Sequence, residues 1–358
     1  MTNTNLYVDV NVLQTVPSSN INRDDTGAPK TAIYGGVTRA RVSSQSWKHA
    51  MRVSFNKDGA TAGIRTKEVA SMLADALKEL NDSMSDDDAM KKAVETLTAA
   101  GIKVNKDGQT GALLLVSRGQ IKKLAEYTIN NDKIDKKAVK AVLKGTQSLD
   151  LALFGRMVAD NPELNVDASA QVAHAISTHE IVPEFDYFTA LDDLQPEDNS
   201  GAAMLGTIEY NSATLYRYAN VNVKELAKNI GTDGALKGVA EFIKQFVLSM
   251  PSGKQNTFAN KTLPSYVMVA IRTDTPVNLV SAFETPVTSN HGYVSKSITN
   301  LEKANSDAQK IVDKPLLTVV LDQKAVSTIT DQAENLTNLL SQVTDSLKEV
   351  MPDEDTNN

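Results

Sequence analysis

The sequence has no cysteine, and it contains four histidines among 358 residues. Without cysteine there are no disulfide bonds, no thiol catalysis, and no zinc or iron–sulfur sites built on thiolates. His174 and His179 lie close in sequence, but a separation of five residues aligns them poorly for one metal ion on either a helix or a strand. We therefore expect these histidines to be packed or hydrogen-bonded rather than to hold a metal.

Long apolar runs are also missing. The run "ALLLV" at 112–116 is far shorter than the roughly 20 apolar residues that a membrane-spanning helix needs. The first residues, "MTNTNLYVDVNVL", alternate like a strand and lack the charged-then-apolar order of a signal peptide. The sequence therefore predicts neither membrane insertion nor secretion, and we expect a cytoplasmic protein.

The sequence lacks a phosphate-binding Walker A loop, an H-E-x-x-H zinc motif and a G-x-S-x-G nucleophile motif. Two carboxylate pairs remain, Asp24/Asp25 and Asp192/Asp193, and a Mg²⁺-dependent nuclease can be built from such residues. Adjacent acids are, however, common in loops. We expect a protein without catalytic activity, without a metal ion and without a cofactor.

Positive charge is scarce overall, because the net charge is −7, yet one segment contains no acid at all. This segment runs from residue 26 to residue 57, and its basic residues are Lys30, Arg39, Arg41, Lys48, Arg52 and Lys57. An acidic protein argues weakly against nucleic-acid binding, since phosphate affinity comes from Lys and Arg. A concentration of basic residues on one face outweighs that argument.

A helix is predicted in this segment, beginning after an N-cap at Ser43 or Ser44 and continuing to about Phe55. At the helical period, one face carries Trp47, Ala50, Met51 and Ser54, and the opposite face carries Gln45, Lys48, His49 and Arg52. The first face is expected to pack on a sheet. The second can bind phosphate together with the Ser43 hydroxyl and the helix N-terminus, and its alternative role is that of a solvated surface.

Two further stretches can bind nucleic acid. In "DKKAVKAVLK" the side chains of Lys136, Lys137, Lys140 and Lys144 project over one arc, which suits duplex phosphates or simply solubility. In "EFDYFTALDDL" the residues Tyr187 and Phe188 lie in a polar setting. Such aromatic tips can stack on bases or wedge between them, and a protein–protein anchor would look the same from the sequence.

The order of predicted elements is strand, helix, strand, strand, helix, strand, with helix formers inserted from about residue 66 to residue 145. Predicted strands include 6–16, 206–223 and 265–272, and residues 31–42 are expected to form loops or hairpin ends. Within the insertion, helices are predicted at 66–83, 86–101, 118–129 and 135–145, with one short strand, "ALLLVS", at 112–117. That order is typical of the α+β ferredoxin-like arrangement, which is also the arrangement of the RNA-recognition motif. We expect a discontinuous RRM-like palm at 1–60 and 150–358, a helical insertion at 61–149 and an extended hairpin at 181–212. The tail at 352–358 is expected to be disordered.

Several motifs together resemble one known family, the CasC backbone subunit of the type I-E CRISPR surveillance complex, Cascade. They occur in the family's order and span most of the chain. The matching stretches are "NRDD" (22–25), "AIYGGVTRARVSSQSWKHAMR" (32–52), "GRM" (155–157), "AHAISTH" (173–179), "DYFTALDDLQ" (186–195), "LGT" (205–207), "LYRYANVNV" (215–223) and "KQNTFA" (254–259). Val37 and Thr38 depart from the pattern, which has basic residues at these positions.

The resemblance implies an RRM-like palm, a helical fingers subdomain and a thumb hairpin. It also implies a head-to-tail helical filament of copies along a CRISPR guide RNA, together with other Cascade subunits. Each thumb would displace one guide nucleotide and leave short segments free to pair with target DNA. The subunit would not be a nuclease; the alternative comes from type III relatives, whose backbone subunits cut RNA with a loop aspartate, here Asp24 or Asp25.

The resemblance also implies roles for individual residues. The residues expected to contact the guide RNA are Asn22, Arg23, Ser43, Gln45, Lys48, Arg52, Arg156, Met157, Phe188, Thr189, Leu205, Lys254 and Gln255. Met157 matches an apolar residue that holds the displaced nucleotide, and Phe188, Thr189 and Leu205 match thumb residues beside it. The lysines expected to touch incoming duplex DNA are Lys136, Lys137, Lys140 and Lys144.

Overall fold

The structure is a computed structural model that describes residues 5–57, 62–131, 133–158, 161–190 and 204–351. The chain divides into two compact units. Unit 1 comprises Met1–Met51, Val172–Asn220 and Phe242–Leu347, and unit 2 comprises Arg52–Gln171, Val221–Glu241 and Lys348–Asn358. The expected disordered tail lies outside the described residues, as does the segment 191–203 of the expected hairpin.

The strands are β1 (Tyr7–Ser19), β2 (Thr31–Tyr34), β3 (Val37–Val42), β4 (Ile64–Thr66), β5 (Leu114–Val116), β6 (Ala170–Val172), β7 (Ala175–Ser177), β8 (Glu184–Ala190), β9 (Met204–Asn222), β10 (Tyr266–Arg272) and β11 (Leu317–Asp322). The helices are α1 (Ser44–Lys57), α2 (Val69–Leu80), α3 (Asp86–Ala99), α4 (Arg118–Asn130), α5 (Lys136–Lys144), α6 (Leu149–Phe154), α7 (Val223–Ile230), α8 (Thr232–Leu248), α9 (Gln255–Phe258), α10 (Val294–Ala308) and α11 (Leu336–Val350). No helix in the described part of the chain is long and apolar enough to cross a bilayer.

Unit 1 is built on one sheet, in which the strands lie in the order β11-β10-β1-β9-β7-β3-β2. Strand β1 pairs antiparallel with β10, from Tyr7 opposite Arg272 to Leu13 opposite Tyr266. Helix α1 follows β1 in sequence and helix α8 follows β9, so the four strands β10-β1-β9-β7 form the split βαβ arrangement predicted from the element order. The α+β fold class is therefore confirmed.

The two faces of this sheet are covered differently. Arg217 of β9 contacts the rings of Trp47 on α1 and Phe246 on α8, so these helices cover one face. Tyr216 and Tyr218 point to the opposite face because successive strand residues alternate. That opposite face is buried in a core that includes Leu279, Phe283, Ile298 and Leu301. RNA-recognition motifs bind RNA on such a face, and here its centre is occupied by the chain itself.

The secondary structure differs from the sequence-based prediction in two places, at residues 31–42 and at the end of β9. The segment 31–42 was expected to hold loops or hairpin ends, and it forms a hairpin whose turn residues Gly35 and Gly36 have φ of +61° and +81°. Positive φ at both positions is what a tight turn between twisted strands requires. The expected strand through Val223 stops at Asn222, because its Oδ1 accepts a hydrogen bond from the Glu225 N–H at 3.1 Å and caps α7.

Unit 2 contains the helix-rich segment that follows α1. Helices α2 to α5 enclose an apolar core, and the predicted strand "ALLLVS" forms β5, which pairs with β4. Ser117 caps α4 through a capping box in which Gln120 N–H donates to Ser117 Oγ at 2.9 Å. The abundance of helix formers predicted these helices, and each buries one apolar stripe.

Candidate nucleic-acid interface

Helix α1 begins where the sequence predicts. The Ser46 N–H donates to Ser43 Oγ at 3.4 Å, and the Ser43 N–H donates to Asn22 Oδ1 at 2.8 Å. Ser43 is therefore the N-cap, and the Asn22 side chain fixes this cap to the loop at residues 22–30. Two predicted RNA-contacting residues are thus joined by a direct hydrogen bond.

The inner face of α1 is held by an arginine that the sequence analysis missed. Trp47 and Met51 are fully buried, and the Arg217 guanidinium carbon lies 3.7 Å from the centre of the Trp47 ring. Arg217 Nη1 donates to Gln14 Oε1 at 2.6 Å, and Nη2 donates to the Phe246 carbonyl. Burial lowers the pKa of Arg217 to about 9. Arg217 thereby fixes α1 to the sheet.

The outer face of α1 carries the other predicted residues. Gln45 and His49 are exposed, and Lys48 is half-buried. Burial lowers the pKa of Lys48. Gln45 and Lys48 therefore lie on the solvent side of the helix, as predicted, one turn after the Ser43 cap.

Arg52 requires a correction. It was predicted to face outward and contact the guide RNA, but its Nε lies 2.8 Å from Asp150 Oδ2, and its side chain is 18% exposed. Asp150 is fully buried and its other oxygen accepts from the Gly63 N–H at 2.6 Å and from Ser148 Oγ at 2.7 Å. The segment at 26–57 contains no acid, but Asp150, which is distant in sequence, forms an ion pair with Arg52. Arg52 therefore stabilises the fold of unit 2.

Arg156 also requires a correction. It was predicted to contact RNA, yet it is buried and donates to three backbone carbonyls. These are the carbonyls of Leu164 at 3.0 Å, Leu115 at 3.2 Å and Leu143 at 2.9 Å. Its guanidinium therefore ties together segments of unit 2. The next residue, Met157, is 83% exposed, which suits the predicted apolar wedge.

The β8–β9 hairpin carries the predicted thumb residues. Thr189 pairs with Leu205 and Phe188 pairs with Gly206. Leu205 is 60% exposed, whereas the Phe188 ring is half-buried because it lies across Gly206. Of the two aromatic residues expected to be exposed, Tyr187 is exposed and Phe188 is only partly so. Phe185, which the sequence analysis did not single out, shares the Tyr187 face by strand alternation and is also exposed.

Lys254 and Gln255, at the start of α9, follow a glycine that lies against the loop that contains Asn22. A Cβ placed on Gly253 would lie 2.3 Å from the Ile21 carbonyl oxygen, so glycine permits this close approach. Lys254 has a φ of +51° and precedes the short helix α9. The structure thus brings together four predicted residues in unit 1: Asn22, Ser43, Lys254 and Gln255.

Asp24 holds its own loop together. Its Oδ1 accepts from Thr26 Oγ1 at 2.7 Å, from the Thr26 N–H at 2.9 Å and from the Ala28 N–H at 3.1 Å. The Thr26 hydroxyl and these backbone groups lower the pKa of Asp24. Arg23 and Asp25 beside it are exposed. Across the described residues, no three His, Asp or Glu side chains are grouped closely enough to hold a metal ion; Asp192 and Asp193 lie outside that part of the chain.

The lysine arc of unit 2 lies on α5, as predicted. Asp135 caps this helix by accepting from the Ala138 N–H at 2.8 Å. Three of the four lysines are exposed, and Lys140 forms an ion pair with Glu163 at 2.5 Å. The three exposed lysines are Lys136, Lys137 and Lys144.

The histidines are hydrogen-bonded, as expected. His179 is buried; its Nδ1 lies 2.7 Å from the Glu180 carbonyl and its Nε2 accepts from the Thr214 N–H at 3.1 Å. The ring also stacks on Tyr293 at 3.7 Å. His174 Nδ1 lies 3.2 Å from Arg41 Nη1. Because arginine can only donate, the His174 ring is the acceptor.

Comparisons with known proteins agree over nearly the whole chain. A family model described as "CT1975-like protein" matches residues 8–351. A chain of a solved "CRISPR RNA-guided surveillance complex, pre-nicking" is 31% identical, with a TM-score of 0.84, and the match covers 95% of this chain and 99% of that one. A chain of a "CRISPR RNA-guided surveillance complex" is 27% identical, with a TM-score of 0.74 and the same coverage. No curated protein matches the sequence.

Proposed function

The chain belongs to the family of CT1975-like proteins, and from that premise we propose that it is a non-catalytic backbone subunit of a type I-E CRISPR surveillance complex. Copies of it would assemble head to tail along a guide RNA with other subunits of the complex and present the guide for pairing with target DNA. The observation that supports the proposal is the match over 95% of this chain and 99% of the other, at 31% identity, to a chain of a CRISPR RNA-guided surveillance complex.

A subunit that accepts any guide must contact phosphates rather than base edges. The N-terminus of α1 suits that task, because the Ser43 cap leaves N–H groups at the helix end and Gln45 and Lys48 follow on the solvent side. Asn22 connects this helix end to the exposed Arg23, and Lys254 and Gln255 lie in the adjoining loop. These side chains provide hydrogen-bond donors for phosphate oxygens.

Displacement of a base at regular intervals needs apolar groups that are indifferent to base identity. Met157 and Leu205 are exposed apolar side chains, and Thr189 lies opposite Leu205. Unstacking one base step costs about a few kcal/mol, which such wedges recover through contact with the exposed bases. Repetition along one RNA then makes weak contacts of each subunit cumulative.

Target DNA would approach the lysines of α5. Three exposed lysines on one arc, with Lys140 partly neutralised by Glu163, suit non-specific contact with duplex phosphates. Sequence recognition would belong to base pairing between guide and target, as in other RNA-guided effectors.

The proposal is tested by purifying the chain from cells that also produce a guide RNA and the partner subunits. We expect a complex whose ratio of absorbance at nucleic-acid and protein wavelengths is that of a ribonucleoprotein and which dissociates when ribonuclease is added. A protein-like ratio would contradict the proposal. Assembly that persists after complete RNA removal would favour a protein-only scaffold that uses the aromatic hairpin as its anchor.

A further inference from the structure

The β8–β9 hairpin leaves the sheet of unit 1 as a ribbon of two strands. Strand β9 pairs with β7 at Leu215 and Tyr216, and its earlier part, from Met204 to Tyr210, pairs with β8. A hairpin of two strands is only marginally stable by itself, so contacts near the sheet hold its direction. We call Glu209 and Tyr210, the last residues of β9 that pair with β8, the root of the hairpin.

Asn20 joins this root to the loop at 22–30. The side chain of Asn20 is buried, and its Nδ2 donates to the Glu209 carbonyl at 2.9 Å and to the Gly27 carbonyl at 2.9 Å. Both bonds start from the same amide nitrogen. Asn20 therefore connects the hairpin directly to the loop that carries Arg23.

The chemistry of the Asn20 amide indicates that these two bonds matter. Its Oδ1 is buried and accepts no hydrogen bond in the described part of the chain. A buried acceptor without a donor destabilises a fold, and an apolar side chain would avoid that cost. An aspartate has the same shape but no N–H to donate. The two N–H groups thus distinguish asparagine from either replacement.

A second contact fixes the same root to helix α9. The centre of the Tyr210 ring lies 5.7 Å from the centre of the Phe258 ring, and the two rings are tilted by 46°. Phe258 is the last residue of α9, and Gln255 is the first. The root is therefore joined to both segments outside α1 that carry predicted guide-binding residues of unit 1.

A small movement of the root becomes a larger movement farther along the hairpin. Leu205 precedes Glu209 by four positions in β9, which is about 14 Å at a rise of about 3.4 Å per residue. A tilt of about 10° at Glu209 would therefore move Leu205 by about 2 Å. Neighbouring nucleotides of a stacked strand are about 3.4 Å apart, so this movement exceeds half of that spacing.

We infer that Asn20 and Tyr210 are positioning residues, which fix the β8–β9 hairpin against the loop at 22–30 and helix α9 and so determine which guide nucleotide the hairpin displaces. Neither side chain has to touch the RNA, because Asn20 acts through Gly27 and Glu209, and Tyr210 acts through Phe258. The inference rests on the proposed function, since it concerns the same guide. It adds that the choice of the displaced nucleotide is separable from affinity for the guide.

The test uses the assembled complex at saturating protein concentration, with guide RNAs that carry 2-aminopurine at one position each. The positions cover one interval between displaced nucleotides. Asn20→Ala removes both donated bonds, and Tyr210→Leu removes the ring contact at a half-buried position. The matched control is Asn260→Ala, because Asn260 is also buried in unit 1 and its Nδ2 donates to the Gly253 carbonyl, at 3.4 Å, rather than to the hairpin. Affinity for the guide is measured in parallel by anisotropy.

The unmodified complex is expected to show one bright position per interval. Each variant should lower the fluorescence at that position at least about twofold and raise it at a neighbouring position, because the wedge unstacks a different base step. Affinity should change less than about fivefold, since the phosphate contacts are kept. The control should show the pattern of the unmodified complex.

If either folded variant keeps the single bright position of the unmodified complex, the inference fails and the proposed function stands. Weaker binding with an unchanged pattern in the bound guide would mean that the two side chains only stabilise the fold, which also overturns the inference. If the unmodified chain binds no guide, the proposed function itself fails. Circular dichroism checks folding, and if Asn20→Ala does not fold, the half-buried Tyr210→Leu decides alone.

Discussion

Arg52 and Asp150 form an ion pair in which the carboxylate is fully buried and the Nε to Oδ2 distance is 2.8 Å. The two residues are almost a hundred positions apart in sequence, at the two ends of the helical insertion. Asp150 also accepts from the Gly63 N–H and the Ser148 hydroxyl. The Asp150 side chain therefore connects α1, the start of the insertion and the start of α6, and it stabilises unit 2.

Replacing Asp150 with alanine is expected to lower the free energy of unfolding by about 3 kcal/mol, because removal of one partner leaves Arg52 charged and largely buried. The measurement is urea unfolding followed by circular dichroism. Asp167→Ala, which removes an exposed carboxylate of the same unit, serves as the control and should change stability little. A loss below about 1 kcal/mol for Asp150→Ala would mean that the pair contributes no more than a surface ion pair.

Lys48→Glu is expected to abolish RNA-dependent oligomerisation without unfolding the chain. Lys48 is half-buried on the solvent side of α1, so reversing its charge places a carboxylate beside the RNA phosphates. Sedimentation with and without RNA measures the effect, and Lys57→Glu, at an exposed lysine that ends the same helix, is the charge-matched control. Filaments that still form with Lys48→Glu would remove this face from the RNA interface.

Much of the fold could be predicted from the sequence because its elements bury alternating or helical apolar stripes. Strand β1 and strand β10 follow their predicted ranges closely, and helices α2 to α5 follow theirs. Helix α7 could not be predicted in the same way, because its sequence continues the apolar pattern of β9. The strand ends at Asn222, where the side-chain oxygen accepts a hydrogen bond from the Glu225 N–H and caps the helix. The glycines at 35 and 36 predicted a turn, but the sequence did not predict the short strands β2 and β3 on either side of it.

The candidate site was less predictable, because a formal charge does not reveal what it contacts in space. Lys48 and Arg52 lie on one face in a helical projection, and nothing in that projection shows that Arg52 pairs with Asp150. Arg156 precedes the exposed Met157 in sequence, but its guanidinium is buried and donates to three backbone carbonyls. A family motif contains residues that stabilise the fold as well as residues that bind RNA. The motif alone does not distinguish the two roles.

His179 is expected to make stability fall as the pH drops below about 6.5, the pKa of an unfolded histidine. Burial, which is the largest cause, lowers the pKa of His179 in the fold, so protonation favours the unfolded chain and breaks the bond from the Thr214 N–H. His179→Phe keeps a ring to stack on Tyr293 and removes the titration. Asp9, whose pKa burial raises to about 6, acts in the opposite direction in both proteins and cancels in the comparison.

The measurement is the urea midpoint of both proteins at about pH 7.5 and about pH 5.5, on either side of the histidine range. The unmodified chain should lose more stability than His179→Phe on acidification, with a slope of at most about 1.4 kcal/mol per pH unit. His291→Asn, at an exposed histidine, should follow the unmodified chain. Equal pH dependence in all three proteins would show that His179 does not titrate differently in the fold.

Gly206→Ala is expected to impair base displacement by the hairpin. A Cβ at Gly206 would lie 2.4 Å from Phe188 Cζ, so the ring must move from its place across the glycine. The measurement is the fluorescence of 2-aminopurine at the displaced position of the guide, which rises when the base unstacks. Gly206→Ala should reduce that rise to the level of Phe188→Ala. Gly111→Ala is the control because a Cβ there meets nothing within 4 Å, and an equal loss in that variant would show a general defect.

The assembled complex is expected to leave complementary RNA intact in the presence of Mg²⁺. Oδ1 of Asp24 accepts from three donors of its own loop, which fixes the turn that follows Asn22 and Arg23. Asp24→Ala should therefore weaken guide binding through loop disorder and leave the absence of cleavage unchanged, and Asp25→Ala should alter neither. Gel analysis of a labelled complementary RNA decides the matter: cleavage by the unmodified complex that disappears in Asp24→Ala or Asp25→Ala would establish the metal-dependent ribonuclease instead.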